Sequence, residues 1–271
     1  FFEKLNLPLV VQARKRAFPH TEKAFDVFHS LENYMKKGKV TVMIKTKVSR
    51  ILKEKNLITG IVVGSHTYTA KSYILATGGL SHPETGSTGD GFNWLKALGH
   101  SVVTPTPTIV PISTKESWSH QLSGLSLSFM KISFYVDGVK KFSKTGKILF
   151  THFGLSGPLI LNTAKAISDL LHEGLVTARI DAYPHTNEGA LEAKMINIFD
   201  KNKNKNIKNV IDEIAPEGMG LALSSLVKNI ELDTKVHSIT KEQRKLLVNT
   251  LKALPLTITG LMGYDRAVVA D

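Results

Sequence analysis

The sequence predicts an α/β scaffold that opens with a helix and a β-meander and is interrupted by an inserted α+β domain. Three observations predict it. Residues 40–70 hold four short strand-like runs with short connections. Tyr73-Ile-Leu-Ala76 is an unbroken apolar run ending in Thr77-Gly-Gly79, the pattern of a strand buried on both faces of a parallel sheet. Pro105, Pro107 and Pro111 then punctuate the chain, and the pattern beyond them changes to a hairpin followed by helices. The 271 residues suit one large domain or two ordinary ones.

Taken in order, residues 8–13 read as a short strand and residues 21–37 as a helix. Thr21 is its N-cap, with Ala24, Phe25, Phe28, Leu31 and Met35 on one face, and Gly38 is its stop. Strands are expected at 40–44, 48–53, 58–63 and 67–70, with a turn at Lys55-Asn56. A helix over 90–98 stops at Gly99. In the inserted segment, runs at 127–136 and 139–142 flank Asp137-Gly138, a strong two-residue hairpin signal. A further strand is expected at 147–150. A helix begins near Ser156 with Pro158 in its first turn and ends before Gly174, and 176–181 is a strand. Helices follow at 188–199, 207–214, 221–230 and 241–254. The last opens on Thr240-x-x-Gln243, a capping box, and is ended by Pro255. Strands at 256–259 and 267–270 are expected to return to the first domain. The division is therefore 1–106, 107–255 and 256–271.

Composition narrows the function. Hydrophobic residues make up 42% and charged residues 21%, a globular balance. There is no cysteine, which removes disulfides, thiolate nucleophiles, iron–sulfur clusters and cysteine zinc sites, and fits a cytoplasmic setting. The formal charge is +12, which raises a second reading, a basic nucleic-acid-binding protein without catalytic activity. Against it, the cations are scattered. The densest run, Lys201-Asn-Lys-Asn-Lys-Asn-Ile-Lys208, has no interleaved aromatics and reads as a solvated loop or helix edge. No apolar run is long enough to span a membrane, and Phe1-Phe-Glu-Lys-Leu-Asn-Leu7 lacks the order of a signal peptide. The missing initiator Met, and the stop directly after a strand-like run, are expected of a chain cut from something longer.

The most informative segment is Ile74-Leu-Ala-Thr-Gly-Gly-Leu-Ser-His-Pro-Glu-Thr-Gly-Ser-Thr-Gly-Asp-Gly-Phe92. Ligands of open α/β sheets bind beyond the carboxyl ends of strands, where Thr77-Gly78-Gly79 falls. The second glycine- and hydroxyl-rich stretch leads straight into a helix, whose N-terminal amides favour anions. Asp90 has two readings: a helix N-cap, or a carboxylate accepting hydrogen bonds from a ribose or a phosphate-bound water. No G-x-G-x-x-G and no P-loop occurs, so only part of a Rossmann-like nucleotide site is present.

Leu75-Ala-Thr-Gly-Gly-Leu-Ser-x-Pro-x-Thr-Gly-Ser-Thr-Gly-Asp-Gly91 resembles the BaiN/RdsA (YhiN-like) family of NAD(P)/FAD-dependent flavoproteins. Arg16-Ala-Phe-Pro19 is similar to that family's Arg-x-Phe-Pro motif, and Leu149-Phe-Thr-His-Phe-Gly-Leu-Ser-Gly-Pro158 to its hallmark in the inserted domain. Ile258-Thr-Gly through Ala267-Val-Val-Ala-Asp271 is similar to its return into the FAD domain. The resemblance runs along nearly the whole chain in the family's order. The family's N-terminal Gly-rich FAD motif and its C-terminal Gly-rich segment have no counterpart here.

The resemblance implies a partial FAD/NAD(P)-binding domain. Val48 would meet the adenine, Ala76, Thr77, Gly78 and Gly79 would approach the FAD diphosphate, and Asp90 would match the acidic residue of the Thr-Gly-Asp-Gly motif. Arg16 would face the cofactor or substrate cavity, with a surface salt bridge as its alternative. His152 would donate a proton or bind a substrate anion; the alternative is a structural histidine bonded to backbone in a tight turn. The implied activity is that of an FAD-dependent oxidoreductase, with NAD(P)H reducing the flavin and the flavin acting on a small organic substrate. No metal, no membrane and no specific nucleic acid is expected. Ser81-His82 and Ser119-His120 are sequence neighbours only, and no Ser/His/Asp triad is legible.

Overall fold

The computed structural model describes residues 1–227 and 229–270; Asp271, at the end of the expected return segment, lies outside them. The chain divides into two compact units, residues 1–73 and 74–271.

In the first unit β1 (Leu9–Gln12) pairs antiparallel with β2 (Arg16–Pro19). The helix α1 is Ala24–Lys37. It starts three residues later than expected, so Thr21 is not its N-cap; Lys23 holds that position, and the Thr21 hydroxyl accepts from the Lys23 amide at 3.4 Å. The apolar stripe of α1 is real but exposed at Phe25, Phe28, Leu31 and Met35. The meander has three strands: β3 (Arg50–Glu54), β4 (Leu57–Val63) and β5 (His66–Tyr68). The strand expected at 40–44 does not form, and Val42, Met43 and Ile44 are exposed. Alternation alone does not make a strand without an edge to pair with.

The second unit opens on an extended segment. Residues 73–76 are not a strand, and Ile74 is 92% exposed. An apolar run becomes a buried parallel strand only between two neighbours, and all strand pairs among the described residues are antiparallel. Then come α2 (Asp90–Ala97), β6 (Pro107–Thr108), β7 (Ile112–Thr114), the short α3 (Ser117–Gln121), β8 (Ser126–Val136), β9 (Val139–Thr151), β10 (Gly154–Ser156), α4 (Pro158–Glu173) and β11 (Val176–Asp181). The helices α5 (Glu188–Lys201), α6 (Ile211–Ile214), α7 (Gly220–Leu226) and α8 (Lys241–Lys252) follow, then β12 (Leu254–Leu261) and β13 (Val269–Ala270).

Six of these strands close a barrel in the order β10-β7-β12-β11-β8-β9. The β8–β9 turn is the predicted one: Asp137 and Gly138 have φ of 48° and 82°, as a type I′ turn requires. The run at 147–150 continues β9 instead of starting a new strand. Inward residues Ile112, Ile132, Phe134, Ile148, Phe150, Leu155, Ile180 and Leu254 are buried in one core with Ile160 and Ile167 of α4 and with Leu247 and Leu251 of α8. Pro158 starts α4 and Gly174 ends it. Thr240 and Gln243 form the predicted capping box. The helix expected at 207–214 is a 3-10 turn, Ile207–Asn209, followed by α6.

One assignment is corrected by the barrel. The strand expected to return to the first domain at 256–259 is part of β12, which pairs with β11 and β7 and closes the barrel. Its Pro255 is the second residue of the strand, ahead of the pairing with β7 that begins at Ile258, and α8 has already ended at Lys252. Of the expected return strands, only Val269–Ala270 lies outside the barrel, paired with β6.

Candidate functional site

The glycine-rich segment folds back on itself. A Cβ on Gly78 would stand 2.9 Å from the Ser87 hydroxyl, and one on Gly91 would collide with Thr77 Oγ1. The Thr77-Gly78 turn therefore lies against the start of α2, an approach that only glycine permits. Gly89, at φ 79°, is the N-cap of α2, and Asp90 is its first helical residue. The N-cap reading of Asp90 is thus corrected by one position. At that position a carboxylate still interacts favourably with the helix dipole.

Several groups at this turn are uncommitted. Gly78 and Gly79 make no hydrogen bond among the described residues, and a Cβ on Gly79 would meet nothing within 4 Å. The Ser81 hydroxyl is buried with no partner. A buried unpaired hydroxyl is costly. In one segment with the exposed Gly78 and the N-terminus of α2, it fits an anionic, hydrogen-bonding group such as a nucleotide. Ala76 and Thr77 form the approach to this turn, both exposed.

His152 occupies the turn between β9 and β10. Its ring is exposed and edge-on to Phe153, 4.9 Å between centroids, and the ring nitrogens make no hydrogen bond among the described residues. The backbone-bonded alternative is therefore not what forms. The glycines of this hallmark segment are structural. A Cβ on Gly154 would collide with the β7 backbone, and one on Gly157 would lie 2.9 Å from the Leu149 amide. The Thr151 hydroxyl next to His152 is a second buried orphan.

A strap joins the two regions. The Tyr264 carbonyl accepts from the His82 amide at 3.0 Å, and two residues later the Arg266 guanidinium lies 5.5 Å from the Phe153 ring centroid. The strap is anchored by Met262 N to Pro111 O at 2.9 Å and Val268 N to Ile109 O at 3.2 Å, with Ala267 fully buried. Glycine loop and His152 turn are thereby fixed within one unit. Thr151, Tyr264 and Arg266 were not singled out from the sequence, and Ser81 was weighed only as the neighbour of His82, because their signal is a missing or long-range partner.

The other two expected site residues lie in the first unit. Arg16 is exposed on β2, and its Nε donates to the Ala13 carbonyl at 3.4 Å instead of pairing with an acid. Val48 precedes β3, which starts two residues later than expected. Ser119 and His120 meet through Thr114: its Oγ1 is 3.0 Å from Ser119 Oγ and 3.1 Å from His120 Nε2. Ser119 also donates to the Glu116 carbonyl, so the buried group ties α3 to β7. Among the described residues no cluster of metal-ligating side chains forms, and no helix is long and apolar enough to cross a membrane.

A closed barrel with a helical array, carried behind a glycine-rich loop and helix, defines the class. The family model described as "HI0933-like protein barrel and H2TH domain" matches residues 106–269. The chain belongs to this HI0933-like family, and its curated relatives are of the BaiN/RdsA type that the motifs resemble. The chain is 26% identical to the ribosomal RNA dihydrouridine synthase of Haemophilus influenzae, covering 92% of this chain and 59% of that protein. It is 23% identical to the 3-dehydro-bile acid delta(4,6)-reductase of Clostridium scindens, covering 93% and 61%. With the ribosomal RNA dihydrouridine synthase of Escherichia coli identity is 24%, covering 92% and 59%. The chain spans about three fifths of the length of these relatives.

Proposed function

We propose that this chain carries part of an FAD-dependent reductase that uses NAD(P)H and saturates a carbon–carbon double bond conjugated to a carbonyl. The observation that carries the reading is the Thr77–Gly79 turn packed on the start of α2, with Gly78 and Gly79 making no hydrogen bond among the described residues and the Ser81 hydroxyl orphaned. The names of the relatives favour this bond type. Dihydrouridine is uridine with its ring double bond saturated, and a delta(4,6)-reductase of a 3-dehydro substrate saturates bonds in line with a ketone. In either case hydride arriving at the far carbon puts charge on the carbonyl oxygen, and a proton must follow.

FAD, when bound, supplies hydride transfer. Gly78, Gly79 and the α2 N-terminus would hold its diphosphate, with Ala76 and Thr77 beside it. Asp90 would accept from a ribose hydroxyl, and Ser81 would find its missing partner there. For Val48 and Arg16, which lie in the first unit, the roles at the adenine and at the cofactor or substrate cavity rest on the resemblance alone. His152, exposed and with no hydrogen bond at its ring nitrogens among the described residues, would deliver the proton; the strap through Tyr264 and Arg266 holds its turn.

The test is FAD titration by flavin fluorescence together with turnover. Asp90→Ala should weaken FAD binding by about tenfold, the worth of one hydrogen bond of about 1 kcal/mol or slightly more. His152→Gln should leave FAD affinity unchanged and slow turnover by roughly 100-fold or more. An Asp90→Ala protein with normal affinity would confine Asp90 to the helix. A protein that binds no FAD in its intact form would overturn the reading.

A further inference from the structure

We propose that the outer face of the β8–β9–β11 sheet is a docking surface for single-stranded RNA, with Phe129 as its base-stacking residue. The inference rests on the reductase reading only in that the docked strand would bring a uracil-type substrate to that site.

The sequence scatters its lysines, and the hairpin gathers them. The 11 residues of β8 and 13 of β9 contain five lysines and no carboxylate. Burial alternates along β8, with Ile132, Phe134 and Val136 inward. The register sets Lys131 opposite Thr145, Ser133 opposite Ser143 and Arg179, and Tyr135 opposite Lys140. Paired residues share a face, so Lys131, Lys140 and Arg179 point outward together, and Arg179 stacks 4.9 Å from the Tyr135 ring centroid. No ion pair neutralises Lys131, Lys140, Lys147 or Arg179 among the described residues. The face has one acid, Asp181, and Lys252 holds it at 2.7 Å.

Phe129 stands at one end of this face. The register skips between Leu127 and Met130, a bulge that sets Ser128 and Phe129 opposite Lys147. Phe129 has φ 60° and is 70% exposed. A bulky residue held in the left-handed region is strained, and an exposed aromatic gains nothing from the core in return. Bulges re-aim side chains, and this one aims a ring outward between cations. From Phe129 to Tyr135 the face runs about 20 Å at strand rise. Stacking rings set in a cationic track are how proteins hold single-stranded nucleic acid with little sequence preference. That fits a chain of net charge +12.

The experiment measures binding of a fluorescent single-stranded oligouridylate to the purified protein by anisotropy across a salt series, with flavin content recorded separately. Binding should weaken steeply with salt. The triple variant Lys131→Ala/Lys147→Ala/Arg179→Ala should flatten the log–log slope by about 2, at about 0.7 per lost phosphate contact. Phe129→Gly should weaken binding roughly 5- to 150-fold while keeping or raising the melting temperature, because glycine relieves the left-handed backbone. A purely structural Phe129 would instead lose stability with binding unchanged. No binding to the oligonucleotide, binding untouched by these variants, or preferential binding to anionic phosphatidylglycerol vesicles would overturn the docking surface. Flavin retained without RNA binding leaves the reductase reading standing, and variant-sensitive RNA binding without flavin would do the reverse.

Discussion

Gly91 and Thr77 show how a side chain too many would open the site. A Cβ on Gly91 would meet the Thr77 hydroxyl first and the Thr77 Cβ at 3.4 Å, so the turn and α2 approach only because one partner is glycine. Gly91→Ala should therefore cost about 1–3 kcal/mol of stability, as overpacking does, and weaken FAD retention. Adding Thr77→Ala to it should restore most of both, since the colliding hydroxyl is gone. The check is chemical denaturation and FAD titration of the two single variants and the pair. Strict additivity would mean that the two segments do not touch. Asp90 was visible as an acid at a helix start, but its place one residue inside α2 depended on Gly89 taking the left-handed N-cap position.

At the scale of elements, the signals that held were local. Asp137-Gly138 made a hairpin because both central residues accept positive φ, and the Thr240–Gln243 box set the start of α8. Contacts between elements were not legible in this way. Tyr183, just past β11, donates its hydroxyl to the Ile214 carbonyl of α6 at 2.9 Å, and burial holds its phenol above the ordinary value of 10. Burial penalises the phenolate. The raised folded value thus stabilises the protein below the ordinary pKa, and that contribution fades as pH rises through the folded one. Tyr183→Phe should cost about 0.5–1.5 kcal/mol near neutral pH and show a smaller loss of stability on going alkaline. Urea midpoints at about pH 8 and about pH 11 decide it; parallel alkaline losses in both proteins would remove Tyr183 from the account.

For the whole molecule, barrel closure is the decisive contact. β7 and β12 are separated by α3–α8 and four barrel strands, yet they pair, and β12 also pairs with β11. Without β12, both β7 and β11 would present bare edges. Residues 106–269, the span of the family match, should fold alone and unfold cooperatively. Residues 107–255, the division drawn from the sequence pattern, should not, because the cut removes all but the first two residues of β12. Thermal unfolding and dye binding to exposed apolar surface distinguish the two. Cooperative melting of the shorter piece would mean that the barrel does not depend on its closing strand.

The sequence by itself determined the elements whose cause is near in the chain: the I′ turn, the proline start and glycine end of α4, the capping box, and the glycine-rich loop running into a helix. Its motifs also identified the family. Only the tertiary structure decided what depends on a distant partner. Residues 40–44 and 73–76 carry strand-like patterns but no strand, since a strand exists only where a neighbour offers its amides and carbonyls. Residues 256–259 close the barrel because β7 and β11 were waiting with unpaired edges. The lysines of β8 and β9 and the arginine of β11 form one cationic face because antiparallel register brings alternate residues together, a relation that no local window of sequence contains.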